Sequence, residues 1–479
     1  MKKIIFYQSG QVLIPTLVFG SIAIYFIISL ASWASISIKA GRQAANRELA
    51  IQIAESGVDY YRWHLAHAPQ DYQDGSGVPG PYIHDFKDKD GNIIGQFSLD
   101  ITPPPIGSTK VIIKSTGKAE ADLNVERVVF TTLAKPSMAK YATVANATIR
   151  FGEGTEVFGP IHSNGGIRFD GFAHNIVSSA LAEYNDPDHS GSNEFGVHTH
   201  LSPTDPLPPS SIPVRSDVFE AGRQFPVPAV DFVGITADVA QMKSDAQTSG
   251  FYRASSGAQG YHIVLMTNDT FNLYRVTSIA NPPSGCTNLY NQSGWSTWSV
   301  SAQQLIGNYP IPTNGIIFLE DNVFVDGQIN TARILVVAAS LPDNPLSRKS
   351  IIVNNDLLYT NYDGQDVIGL IAQENVNVGM ISEDDLKIDA ALVAQNGRAG
   401  RYYYRPPGGG NRCSPYHIRQ TITLWGIIAT NQRYGFAYTD GNGYNIRNIN
   451  YDASLLYSPP PSFPLTSDQY ITLTWEEEE

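Results

Sequence analysis

The chain has 479 residues, enough for an anchor and two or three domains that each bury a core, and only 16% of them are charged. A formal net charge of -13, with 41 Gly, 30 Pro and 25 Tyr, is the balance of a loop-rich extracellular β protein rather than a cytosolic enzyme. It argues against nucleic acid as a partner, because phosphate binding needs clustered Lys and Arg.

Residues 1–10 form a short leader-like segment with Lys2 and Lys3, and no charged residue follows until Lys39. Within this gap Val12, Leu13, Ile14, Leu17, Phe19, Ile22, Ile24, Phe26, Ile27, Leu30 and Trp33 supply the apolar surface of a membrane-crossing helix. About 20 such residues suffice to span a bilayer. The helical pattern runs on through Ala40, Ala45 and Leu49, longer than the core of a removable secretory signal. Ala50, Ala54, Val58, Tyr61 and Leu65 then recur at steps of three or four, so residues 11–68 read as one helix, first membrane-spanning and then amphipathic. The expected location is a single pass through the inner or cytoplasmic membrane, with the C-terminal body outside.

The amphipathic face needs a sheet to cover. Gly95 to Ile101, Lys110 to Lys114 and Val125 to Thr131 are short, β-rich and separated by turn residues, which predicts a small antiparallel sheet within residues 69–135.

The order of these features resembles a type IV pilin-like subunit, in the style of the large PilX-type minor pilins. The residues that carry the resemblance are the basic leader ending in Gly10, the apolar segment opening at Gln11, Ala54-Glu-Ser-Gly57 in the Ala-rich helix, and the strand around Ile113 to Gly117. It implies a processing junction between Gly10 and Gln11, with methylation of the new amino terminus. It also implies membrane lipid, other pilin-like subunits and the pilus assembly machinery as partners. The family places Phe or Met at the first mature position and Glu at the fifth, where this chain has Gln11 and Pro15. Related subunits that lack the glutamate sit at the filament tip, so the resemblance implies a minor or tip subunit. Processed chains would reach the pilus or cell surface.

From residue 315 to about 464 short aliphatic runs recur, and three share a pattern: Gly369 to Glu374, Ala391 to Asn396 and Gly426 to Asn431. Stacked turns would let each aliphatic strand cover the one before, so this region reads as a parallel β-helix or solenoid, with Asn and Gln stacked at corners. An antiparallel sandwich is the alternative. Val157 to Gly171 resembles an earlier start of the same pattern, and residues 136–314 read as β-rich with a projecting insertion over 180–310. The closing segment from Tyr451 to Pro464 resembles bacterial surface proteins that join a pilin-like anchor to a β-helical body. Residues 465–479 read as a C-terminal segment ending in a solvated acidic tail, Glu476 to Glu479. The fold class is therefore α+β, mostly β.

Chemical motifs are few. Cys286 and Cys413 can pair in an exported protein, or be two separate buried thiols. Asp186, Asp188 and Ser190 have the alternating oxygens of a calcium loop, but Val197 stands where the bidentate Glu belongs. His189, His198 and His200 could offer nitrogens to zinc, without a fourth ligand at characteristic spacing. Tyr402, Tyr403, Tyr404 and Arg405 read as an exposed aromatic and cationic loop that could contact sugar or protein, with stacking against the solenoid as the alternative. No cofactor is expected. With no nucleophile elbow, phosphate loop or zinc-protease motif, the reading is a non-enzymatic surface subunit for filament assembly or adhesion to a surface or polysaccharide ligand. The alternatives are a cell-envelope β-helix enzyme acting on polysaccharide through Glu383, Asp384 or Asp385, and an unprocessed single-pass structural protein.

Overall fold

In the computed structural model, which describes residues 12–232, 234–288 and 292–478, the helix α1 (Leu13–His67) runs for 55 residues. Pro15 is tolerated because it lies in the first turn, where amides have no helical acceptor. The apolar first half of α1 buries nothing against the rest of the chain. From Ala50 onward one stripe is buried: Ala50, Ile53, Ala54, Gly57, Val58, Tyr61 and Leu65.

The chain forms two compact units, one of Met1–Pro103, Val111–Leu133 and Tyr470–Glu479, the other of Pro104–Lys110 and Ala134–Gln469. In the first, α1 covers β1 (Tyr82–Lys87), β2 (Ile93–Thr102), β3 (Val111–Ala119) and β4 (Asp122–Ala134), paired antiparallel in that order. Ile53, Tyr61 and Leu65 meet Phe97, Leu99, Val111, Ile113 and Leu133 to make its core. The alternation in β3, with Val111, Ile113, Ser115, Gly117 and Ala119 buried, follows from the two-residue period of a strand with one covered face.

The expected acidic tail is instead a fifth strand, Ile471–Glu478, beside β4. Ile471, Thr472, Thr474 and Trp475 favour the pleated surface, and Thr131 Oγ1 donates to the Thr474 carbonyl at 2.6 Å. Arg127 pairs with Glu477, so a carboxylate of the run is drawn onto the sheet.

The second unit is a stack of parallel strands. One column runs Phe251–Arg253, Ile316–Leu319, Arg333–Ala338, Val367–Ala372, and then the C-terminal ends of Asp385–Ala394 and Ile418–Thr430. The next members of that column come from much earlier in the chain: Thr143–Ala145, Ile161–Ser163, Val177–Ser179 and Arg223–Gln224. Regions 136–314 and 315–464 therefore contribute to one body rather than two. The chain enters beside Ile418–Thr430, builds to one end of the column at Arg223–Gln224, and resumes at the other end at Phe251–Arg253.

α2 (Gly234–Ser249) lies in that return path. Its Val239, Met242 and Ala246 pack on Ile316, Phe318, Leu335 and Val337. A ladder of asparagines marks the junction of late and early strands: Asn164 Nδ2 donates to Asn146 Oδ1, and Asn146 Nδ2 to Asn431 Oδ1, each at 2.8 Å. Within the expected projecting region, Thr270–Ile279 and Val300–Pro310 form an antiparallel pair whose second strand is largely exposed.

Candidate functional site

The residues read as membrane-facing lie where a lipid or helix partner can reach them: Phe19 is 71% exposed and Trp33 68%, with Val12, Leu13, Ile14, Leu17, Ile22, Ile24, Phe26, Ile27 and Leu30 also exposed. Gly10 and Gln11 lie outside the described residues.

The structure brings Cys286 and Cys413 together in a disulfide, with Cα atoms 4.5 Å apart. This pins the loop that carries Trp295 and Trp298 over the Tyr402 to Tyr404 segment. The three tyrosines are buried, at 2%, 1% and 0% exposure, which is the stacked arrangement of the two weighed for them and not the exposed contact surface. Tyr402 Oη donates to the Ser293 carbonyl at 3.2 Å, Tyr404 Oη to the Ser296 carbonyl at 2.9 Å, and Tyr403 Oη to Asp440 at 2.6 Å. Arg405 is half-buried, its amide donating to the Thr287 carbonyl.

The carboxylates weighed for polysaccharide chemistry, Glu383, Asp384 and Asp385, are all exposed. Asp384 accepts from Arg419 Nη1 at 2.7 Å, and Asp385 is exposed at the start of its strand. Burial and then the neighbouring Asp356 hold the Glu383 carboxyl above its usual range.

The calcium loop does not form. Asp186 Oδ1 accepts the Asp188 amide at 3.0 Å in an ordinary turn, and Asp188 faces Arg150 and Arg433, two cations that would repel a third. Ser190 is exposed.

The histidines tell a different story. Glu183–Tyr184 and Glu194–Phe195 pair antiparallel, with Glu183 opposite Phe195, which folds Asp186, His189 and Glu194 onto the strand Val197–His198. His198 is wholly buried, and its Nδ1 donates to the Phe195 carbonyl at 3.3 Å. Because a carbonyl can only accept, that contact assigns the proton to Nδ1. Its Nε2 faces Asp186 Oδ2 at 3.6 Å, beyond hydrogen-bond distance, and neither atom has a hydrogen-bond partner. Glu194 Oε1 stands 3.3 Å from both His189 Nδ1 and His200 Nε2, and Glu194 Oε2 is buried without a partner. The His200 amide donates to Asp170 Oδ1 at 2.8 Å, and Asp170 in turn holds Arg168.

Burial, then the positive charge of Arg168, depress the His200 imidazole below its ordinary value. Burial alone would raise Asp186, but His198, the Asp188 amide and Arg168 outweigh it and hold the carboxyl well below its usual range. Sequence reasoning found the three histidines and missed Asp186 and Glu194 as their partners, since only the hairpin pairing brings them together. His200 also borders a cavity of about 970 Å³ lined by Arg150, Arg168, Arg398, Arg433 and Tyr434.

No family model and no curated protein matches the chain. Among solved structures it is similar to the competence-associated pilin ComZ from Thermus thermophilus, at 12% identity and a TM-score of 0.28, over 90% of this chain and 98% of that one. A likeness this loose assigns nothing to the present chain.

Proposed function

We propose that this chain is a membrane-anchored, pilin-like surface subunit, a minor or tip subunit, that displays its β body for filament assembly or adhesion. The observation that carries the reading is the division of α1: the same unbroken helix is apolar and uncovered over its first half and packed on an antiparallel sheet over its second. The stretch Val12 to Ile38 spans roughly 40 Å at about 1.5 Å per residue, more than the ~30 Å hydrocarbon core of a bilayer. A surface apolar on all sides suits lipid first and like helices afterwards. Pro15 cannot neutralise the amino terminus of a neighbouring subunit as a glutamate would, which favours a position with no subunit ahead of it.

The test is mass spectrometry of the amino-terminal peptide from membranes and from filaments sheared off cells. A chain beginning at methylated Gln11 in the sheared fraction is the expected result. Intact Met1 confined to membranes would leave a permanently anchored protein and end the pilin reading.

A further inference from the structure

The buried histidine and carboxylate cluster has no task in the function proposed above. We infer that Asp186, His198 and His200 form a binding site for one divalent transition-metal ion of the zinc type, with Glu194 and His189 facing His200 on its solvent side.

The tautomer of His198 is the first reason. Its Nδ1 proton is committed to the Phe195 carbonyl, so Nε2 presents a lone pair, inside the protein, with no donor to meet it. This is the usual posture of a metal-ligating imidazole, whose other nitrogen donates to a carbonyl or carboxylate. Asp186 Oδ2, on a side chain only 2% exposed, is a buried oxygen without a hydrogen bond, and the Arg168 guanidinium at 3.6 Å leaves it the one charge a bound cation would have to share. Two facing buried atoms, His198 Nε2 and Asp186 Oδ2, without a hydrogen bond between them would be costly in a finished core.

Distances agree. With metal–ligand bonds of about 2.0 to 2.2 Å, neighbouring ligand atoms of a tetrahedral ion lie roughly 3.3 to 3.6 Å apart. The Asp186–His198 separation is 3.6 Å, while Glu194 Oε1 hydrogen-bonds His200 at 3.3 Å and stands 3.3 Å from His189. The ligand atoms of Asp186, His198 and His200 all fall within 4.8 Å of one another, as do those of His189, Glu194 and His200, so His200 joins the two sets. A mixed nitrogen and oxygen set suits zinc better than calcium, which takes six to eight oxygens. His189, 40% exposed, gives the ion a way in. Asp170 fixes the His200 backbone from behind. A filled site would tie the hairpin at residues 183–195 to the strand Val197–His198.

The competing arrangement is a plain ion pair between a doubly protonated His198 and Asp186, which needs no metal. Full-length protein in detergent, without a polyhistidine tag, is loaded with zinc and dialysed against metal-free buffer before elemental analysis. The expected result is about one zinc per chain, a higher unfolding temperature with zinc, and cobalt(II) bands of a four-coordinate ion. Asp186→Asn and His198→Ala should each bind zinc at least ~10-fold more weakly. Wild type that retains less than about a tenth of an equivalent overturns the site. So does full zinc retention in folded Asp186→Asn and His198→Ala. If His198→Ala does not fold, the near-isosteric Asp186→Asn and the half-buried His200→Gln decide on the same criterion.

Discussion

Gly117 on β3 lies so close to Ala54 on α1 that a single added methyl group would strike the Ala54 amide nitrogen and the Ala50 carbonyl. The helix and sheet meet backbone to backbone at this point, and the size of one residue sets their separation.

Gly117→Val should therefore lift α1 off the sheet and cost about 1 to 3 kcal/mol or more, as overpacking does. Hydrogen exchange should report lost protection across Ala50 to Leu65. Gly41→Ala is the contrast: nothing lies within 4 Å of that position, and the exchange should raise helix stability by up to ~1 kcal/mol. Equal effects of the two substitutions would remove Gly117 from its spacing role.

The Cys286–Cys413 bridge closes a loop of 127 residues. In the chain-entropy model such a crosslink is worth about 4 to 5 kcal/mol. Reduction, or the double change Cys286→Ser and Cys413→Ser, should lower the urea midpoint and loosen the covering loop. Trp295 fluorescence would then shift to the red, since its Nε1 now donates to the Tyr403 carbonyl at 3.0 Å.

Arg401 is fully buried, and among the described residues no carboxylate pairs with it. Its guanidinium donates to the carbonyls of Gly379, Met380 and Tyr416 and to Ser382 Oγ, and lies 4.9 Å from the Tyr404 ring centroid. Burial depresses its pKa, yet the fork of donors keeps the charged form in place. Arg401→Ala would leave several buried acceptors empty and should cost more than about 3 kcal/mol. Arg401→Lys should recover only part of it, because one ammonium cannot reach all four acceptors. Urea unfolding of the three proteins checks the order.

His174 sits between Glu156 at 2.8 Å and Glu220 at 2.7 Å. Burial opposes its charging, but the two carboxylates outweigh it and raise its pKa above the ordinary value. A raised histidine contributes stability that is complete below the unfolded value of about 6.5 and lost as pH climbs through the folded value. Wild type should thus exceed His174→Gln by under ~1 kcal/mol at about pH 5.5, a figure discounted for its part exposure, and match it at about pH 9. A difference that grows with pH would reverse the assignment.

Much of the architecture was readable where pairing is local. The stripe from Ala50 to Leu65 is periodic, and the strands it covers follow within seventy residues. The repeat of aliphatic runs was also legible, though its third copy is one residue out of step: Ala391 pairs with Gly369 but with Ile427 rather than Gly426. A fourth copy, Leu335 to Ala338, stands in register with Gly369 to Ala372, and its leucine in place of the small first residue masks it in the sequence.

What the sequence hid depends on distant partners. Nothing local says that Thr143–Ala145 follows Ile418–Thr430 in the stack, or that Ile471–Glu478 joins a sheet begun four hundred residues earlier. Whether Tyr402, Tyr403 and Tyr404 are exposed or stacked was hidden for the same reason, since the loop that covers them lies more than a hundred residues upstream. In the histidine cluster the nitrogens were visible as a spaced motif. Their carboxylate partners were not: Asp186 stood out only as a calcium-loop oxygen and Glu194 not at all, because a hairpin alone brings them to the histidines.

The two contacts that hold the last strand to β4, Thr131 with Thr474 and Arg127 with Glu477, advance in opposite directions along the chain, so the strands are antiparallel. The end of β4 thus lies beside the start of Ile471–Glu478, and a tight turn of about two to five residues could join them. Almost the whole second unit, Ala134–Gln469, is then a cassette spliced into a hairpin. Such a joint lets the inserted unit be lengthened, exchanged or removed while the sheet keeps all five strands, which makes the second unit the part of this protein most open to diversification and to engineering.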